Sequence, residues 1–321
     1  MKRLLGALAV IGLAASFALA QAAKVDPGIA GYQKVSGVSG NINSVGSDTM
    51  NNMMALWGET FQKLYPNVKI QVEGKGSSTA PPALIAGTAQ FGPMSRAMRA
   101  TEIDQFESKY GYKPTQIRTS YDALAVYVNK DNPLAKLTLA EVDAAFSKSR
   151  KRGFKQNVTT WGQLGLTGDW ANRPISLYGR NSASGTYGFF KEHTLANGDY
   201  KDSVKEQPGS ASVVQGVTED RFGMGYSGIG YKTSGVKAVP LAEKEGSAVS
   251  DGNYEDVKSG KYPLSRFLYI YINRAPGKPV DPIVKEYVKL ILSKEGQEVV
   301  IKDGYLPLSP EIVKQELAKI E

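Results

Sequence analysis

Gly179-Arg180-Asn181-Ser182-Ala183-Ser184-Gly185-Thr186-Tyr187-Gly188 joins a short apolar run, Pro174 to Tyr178, to the segment Phe189-Phe190-Lys191-Glu192-His193-Thr194-Leu195. The pattern predicts a strand, a hydroxyl-rich loop and then a helix, with Ser184 or Thr186 near the N-cap. The first backbone N–H groups of a helix have no internal partner and carry the positive end of its dipole. Ser and Thr hydroxyls, a Gly185 that permits close approach and one arginine complete a loop suited to a tetrahedral oxyanion. A single loop of this kind is read equally well as a capped surface helix with no ligand.

Two further loops of the same chemistry change that balance. Ser44-Val45-Gly46-Ser47-Asp48-Thr49-Met50 opens one predicted helix, and Gly74-Lys75-Gly76-Ser77-Ser78-Thr79-Ala80-Pro81-Pro82 opens another. Three Gly/Ser/Thr-rich helix starts, far apart in sequence, can converge on one anion.

The chain has 321 residues and no cysteine. Lys2 and Arg3, the apolar stretch Leu4 to Phe17 and Ala18-Leu19-Ala20 predict a secretory signal peptide over residues 1–20, with cleavage after Ala22 as the alternative. The apolar run is short of the roughly twenty residues that a spanning helix needs. The expected mature chain of about 300 residues suits two domains of ordinary size. It is read as exported and soluble, with no disulfide and no lipid-bearing Cys. The formal charge of +8 favours anionic partners. The densest basic cluster, Lys148-Ser149-Arg150-Lys151-Arg152, reads as a solvated loop, and no nucleic-acid-binding signature is present.

From Thr49 to Tyr65 the apolar residues Met50, Met53, Met54, Trp57, Phe61, Leu64 and Tyr65 fall at helical spacing, with the methionines as core filler. Val68, Ile70 and Val72 alternate as a strand, a short helix follows Pro81-Pro82, and Ala89-Gln90-Phe91 predicts another strand. This alternation predicts parallel strands with helices on their faces. Two long apolar strands, 122–128 and 267–272, bracket the middle of the chain and predict crossings between two lobes. One lobe is expected to comprise 21–121 and 264–321, and the other 122–263. A helix is expected at Leu139 to Phe146, two more at Pro282 to Leu292 and Gln297 to Lys302, and a surface loop from Gly246 to Gly260.

Gly46-Ser47-Asp48-Thr49, Gly76-Ser77-Ser78-Thr79-Ala80-Pro81-Pro82, Phe91-Gly92-Pro93-Met94-Ser95-Arg96, Arg180-Asn181-Ser182-Ala183-Ser184-Gly185-Thr186 and Gly304-Tyr305-Leu306-Pro307-Leu308 occur in this order. Jointly they resemble the periplasmic phosphate-binding proteins of phosphate-specific ABC importers, over essentially the whole mature chain. The resemblance implies a two-lobed, type II periplasmic binding-protein fold, each lobe a mixed, mostly parallel sheet flanked by helices. It also implies a monomer in the periplasm that closes on inorganic phosphate without chemistry or cofactor and serves the permease subunits of an importer. Carried over residue by residue, Thr49 and Met50 match the first phosphate loop, Ser77 the second, and Arg180, Ser184, Gly185 and Thr186 the third. Ser47 of the first loop joins this set. In many members the position of Ser95 is an aspartate that accepts the phosphate proton, and Ser182 replaces an acid that orients the arginine.

An enzyme is the competing class. Ser184 beside Arg180 would need a base, and the one histidine, His193, lies nine residues on along the same predicted helix. That is about 13 Å at ordinary helical rise, too far for a hydrogen bond. There is no Gly-x-Ser-x-Gly elbow, and one His with no Cys makes a poor metal-ligand set. Arg180 is expected to be the only full positive charge on the ligand, with Lys75 turned to water. Telling phosphate from sulfate requires a buried acceptor for the phosphate proton. Asp122 is the favoured candidate, and Asp48, otherwise an N-cap, is the alternative.

Overall fold

The computed structural model describes residues 23–321, so the expected signal peptide at 1–20 lies outside the described residues. Strand β1 (Gly40–Gly46) pairs in parallel with β2 (Val68–Gly74), from Gly40 opposite Val68 to Gly46 opposite Gly74. Helix α1 (Asn51–Leu64) connects them and buries Met53, Met54, Trp57 and Phe61 along one face. The methionines are therefore core, as their helical spacing indicated. Helix α2 (Ala80–Ile85) carries its prolines in the first turn, where the missing N–H costs nothing. The next strand, β3 (Gly92–Met94), begins just after the expected one, and Phe91 bridges to Ser44 in parallel.

The residues between β3 and the first crossing strand form helix α3 (Ala100–Tyr110), which the apolar pattern did not announce. Its start is set by charge: Glu102 takes the Arg99 N–H at 2.8 Å and both guanidinium arms of Arg96 at 2.7 Å. Strand β4 (Thr115–Asn129) then runs for 15 residues and is buried along almost its whole length. Beyond it come β5 (Leu137–Thr138), α4 (Leu139–Phe146), β6 (Ser176–Arg180), α5 (Gly185–His193), β7 (Lys205–Gln207), α6 (Ser210–Glu219) and β8 (Gly223–Gly228). The chain continues through β9 (Val236–Ala238), β10 (Leu241–Ala242), α7 (Tyr254–Lys258) and β11 (Ser265–Ile272). It ends with α8 (Pro282–Leu292), α9 (Lys294–Lys302) and α10 (Pro310–Leu317).

The principal sheet has seven strands, ordered β3-β11-β4-β8-β6-β7 with β9 beside β4. It is mixed: the outer pairs β6–β7 and β6–β8 are parallel, whereas β11 and β8 both run antiparallel to β4. Strand β4 pairs with β11 from Thr115 to Ala123 and with β8 from Leu124 to Val128. One strand thus belongs to both halves of the molecule, and the change of partner falls at 123–124. Its continuous apolar sequence follows from being covered on both faces.

Two segments differ from the sequence expectation, and one strand had none. The 246–260 stretch contains α7, capped by Asn253, whose side chain accepts the Asp256 N–H at 3.0 Å. Helix α9 starts three residues early, at a Ser293 cap whose Oγ accepts the Gly296 N–H at 3.3 Å. Strand β8, Gly-Met-Gly-Tyr-Ser-Gly, for which the sequence offered no expectation, is entirely buried because its glycines let Val213 and Val217 of α6 lie directly on it. The basic 148–152 loop is tied down rather than merely solvated: Lys148 pairs with Asp202 at 2.7 Å and Arg152 Nε donates to Thr194 O at 2.7 Å. None of the described helices is long and apolar enough to cross a membrane.

Just past α9, Asp303 is half-buried with Oδ2 unpartnered, and burial pushes its carboxyl from the ordinary 3.8 up to about 7. Between those values the folded chain holds a proton that the unfolded chain releases, so Asp303 makes stability fall as pH rises from about 4 to about 7. Asp303→Asn should therefore raise the melting temperature at pH 8 and leave it unchanged near pH 4. Thermal melts across that range test this, and parallel wild-type and variant curves would refute it.

Candidate functional site

Strand β6 ends at Arg180, and the turn that follows is built from its own polar side chains. Asn181 Oδ1 accepts the Ala183 N–H at 3.2 Å, and Ser184 Oγ caps α5 by accepting the Tyr187 N–H at 3.3 Å. Of the two residues considered for this N-cap, Ser184 takes the role, which leaves the Thr186 hydroxyl free to point elsewhere. It points across the cleft to the Thr49 hydroxyl, Oγ1 to Oγ1 at 2.8 Å. Thr49 lies in the single 3₁₀ turn, Asp48–Met50, that leads into α1.

The second loop arrives from the same side. Ser77 opens its own 3₁₀ turn before α2, and Ser77 Oγ accepts the Ser95 N–H at 3.0 Å. Its oxygen also stands 3.3 Å from Ser95 Oγ, and Ser95 Oγ is 3.4 Å from Thr186 Oγ1. Thr49, Ser77, Ser95 and Thr186 are at most 1% exposed, so four hydroxyls from four loops form one dry cluster. Buried hydroxyls that satisfy one another in this way are all potential donors to an oxyanion.

Close approach depends on two glycines. A Cβ on Gly185 would stand 2.3 Å from Ser77 Oγ and 2.6 Å from Ser95 Oγ. Gly76 has φ of 113°, in the left-handed region, and its Cβ would meet Ala183 O at 2.6 Å. Beside it Ser78 donates both N–H and Oγ–H to that same carbonyl, at 3.1 and 3.0 Å.

Arg180 is 2% exposed. Its Nη1 donates to Ser210 Oγ at 2.7 Å, its Nη2 reaches Pro208 O at 3.2 Å and Asp48 Oδ2 at 3.3 Å, and its buried Nε has no partner. Burial lowers the guanidinium pKa, Asp48 opposes the shift, and Arg266 adds to it. Asp48 accepts the Ser210 N–H at 2.8 Å with the oxygen that faces Arg180. It therefore does not cap its own helix: one oxygen, reaching out from the first loop, holds both Arg180 and the Ser210 N–H. Lys75 is 71% exposed along its side chain and pairs with Glu73 at 2.7 Å, turned to water as expected.

One expectation changes. Asp122 is not a free acceptor. Its Oδ2 takes Arg266 Nε at 2.8 Å and Nη2 at 2.6 Å, and its Oδ1 accepts the Ile229 N–H at 3.1 Å. A carboxylate at the lobe boundary needed a partner, and the antiparallel register supplies one by setting Arg266 directly opposite Asp122. A second buried cation stands behind the hydroxyl cluster without facing into it: Arg266 reaches Thr186 Oγ1 at 3.0 Å and Ser95 O at 2.8 Å. The signal that could have found it is an arginine at the head of a buried apolar strand. Of the remaining residues, Ser47 holds a buried hydroxyl without a partner, and the Met50 side chain lies in the hydrophobic core. Among the described residues no cluster of three metal-ligating side chains occurs. His193 is half exposed against the Phe189 ring, with centroids 4.1 Å apart, and the Ser184 hydroxyl serves the cap.

Because both members of the Asp122–Arg266 pair are at most 2% exposed, removing one charge strands the other. Asp122→Asn should cost about 3–5 kcal/mol of stability, measured by denaturant unfolding. A loss below about 1 kcal/mol would show that the pair is not what holds the crossing strands.

The match to known proteins covers the whole of this architecture. A family model described as PBP superfamily domain matches residues 32–295. Over 320 residues the chain is 56% identical to the Phosphate-binding protein PstS of Pseudomonas aeruginosa, covering 100% of this chain and 99% of that protein. Protein SphX of Synechococcus elongatus is 27% identical over 280 residues, 86% of this chain and 80% of its own. Among solved structures, a Clostridium perfringens protein provisionally named a phosphate ABC transporter substrate-binding protein, with bound phosphate, aligns with a TM-score of 0.70. It is 23% identical and covers 84% of this chain and 100% of that one. That likeness shows the fold, the two-lobed mixed α/β architecture expected from the sequence. The chain belongs to the PBP superfamily, in the family of the phosphate-binding protein PstS.

Proposed function

We propose that this protein is an extracytoplasmic solute-binding protein that captures inorganic phosphate between two lobes and delivers it to the permease subunits of an ABC importer in the inner membrane. The observation that carries the reading is the convergence of the Thr49, Ser77, Ser95 and Thr186 hydroxyls in one dry cluster. The unpartnered Nε of Arg180 supports it. Phosphate offers many acceptor oxygens, and donors of this kind stabilise a buried anion through many hydrogen bonds as well as through charge. Ser47, Ser184 and the backbone at Met50 and Gly185 complete the site in this reading. Asp122 contributes by balancing Arg266, and Asp48 by holding Arg180.

The lobes in this reading are residues 21–121 with 264–321, and 122–263, joined where β4 and β11 cross. The Pseudomonas aeruginosa relative is a phosphate-binding protein and the Clostridium perfringens structure holds bound phosphate, which supports binding rather than turnover. Periplasmic location rests on the expected signal peptide, and a monomer suffices because each chain carries all the loops.

Calorimetric titration of the mature chain should show phosphate binding at one site, with no turnover of a phosphate ester. Arg180→Ala should weaken phosphate by at least about 2 kcal/mol, roughly thirtyfold, and Arg180→Lys should recover only part of that, since a point charge cannot replace the planar fork. Undiminished affinity in Arg180→Ala would reject the assignment.

Closure gives a second test. Saturating phosphate should reduce the radius of gyration in small-angle scattering and slow amide exchange at 122–124 and 264–266. Identical scattering profiles with and without phosphate would eliminate the clamp.

A further inference from the structure

Arg266 is a buried cation that the phosphate reading leaves without a role, because its nitrogens are taken up by Asp122, Ser95 and Thr186. It lies at the head of β11, opposite Asp122 in register, with its guanidinium carbon 5.2 Å from the centre of the Phe189 ring. Nε and Nη2 hold Asp122, Nη1 donates to Ser95 O at 2.8 Å, and Nη2 also donates to Thr186 Oγ1 at 3.0 Å. Ser95 belongs to the loop after β3 and Thr186 to the first turn of α5, so one guanidinium bonds both sides of the cleft and the crossing strand between them.

The bond to Thr186 constrains its proton. A hydroxyl has one O–H to donate and two lone pairs to accept with, and a guanidinium can only donate. Arg266 therefore occupies a lone pair of Thr186 Oγ1. The other neighbours of that oxygen are Thr49 Oγ1 at 2.8 Å and Ser95 Oγ at 3.4 Å, both inside the cluster. The Thr186 proton has only that side left to face. Accepting from a cation also polarises the hydroxyl and makes it a stronger donor in turn. Asp122 keeps the arrangement electrically neutral, so the cluster gains a polarised donor without an uncompensated second charge.

From this geometry, and resting on the phosphate reading above, we propose that Arg266 is a positioning residue for the ligand, acting through Thr186: it orients the Thr186 hydroxyl as an obligatory donor to the bound anion. Its contribution reaches the ligand through that single oxygen.

A double-mutant cycle on phosphate affinity tests this. The pair Arg266→Met with Asp122→Asn removes the guanidinium without stranding a carboxylate, and thermal melts of every variant confirm that the comparison is between folded proteins. In the otherwise wild-type chain the pair should weaken phosphate roughly tenfold. In Thr186→Ser, which keeps a hydroxyl, the pair should cost about the same. In Thr186→Val, which keeps the shape and lacks the hydroxyl, it should cost less than about twofold. Equal losses in the Ser and Val backgrounds would overturn the inference, since a structural or long-range role does not distinguish them. No loss in the wild-type background would overturn it as well. Failure of the unsubstituted protein to bind phosphate would instead overturn the functional reading, which separates the two conclusions.

Discussion

A buried guanidinium must be paired, and much of the centre of this protein follows from two of them. Taking an ion out of water costs several kcal/mol even after relaxation, and only close counter-charges and filled hydrogen bonds offset it. Arg266 is matched by Asp122 on the neighbouring strand, so its pair is set by sheet register. Arg180 is matched by Asp48, which comes from a loop on the opposite side of the cleft. The first pair is held by the β4–β11 ladder, and the second joins the loop after β1 to the end of β6.

The same economy governs the neutral groups. Four buried hydroxyls have no water to turn to, and each finds its partner among the others or on a backbone amide. Their separation is set by Gly185 and Gly76, where any side chain would force the loops apart. Packing density and polar satisfaction therefore act at the same place. A cluster of donors packed this tightly, beside an arginine with one buried N–H still unpaired, is pre-organised for an anion.

The long strand β4 gives these loops a common frame. Its first half is bonded to β11 and its second to β8, so loops after β1, β2 and β3 face loops after β6 and β8 across one shared strand. In the clamp proposed above, the hinge would lie at this change of partner.

The sequence by itself determined the elements whose signal is local. The period of Met53, Trp57 and Phe61, the alternation of Val68, Ile70 and Val72, and the continuous apolar runs of the crossing strands all report a buried face directly. Hydroxyl-rich helix starts around Thr49, Ser77 and Thr186 were legible for the same reason, since capping chemistry is written within a few residues. Helix α3 and strand β8 were not, because Arg96–Glu102 pairing and glycines packed beneath α6 are contacts that no period records. The partners of charges were decided by tertiary structure alone. That Asp122 meets Arg266 depends on the register of strands 144 residues apart, and that Asp48 meets Arg180 depends on a loop 132 residues away in the chain. Sequence shows which groups will be expensive to bury; only the folded chain shows which opposite charge makes the burial affordable.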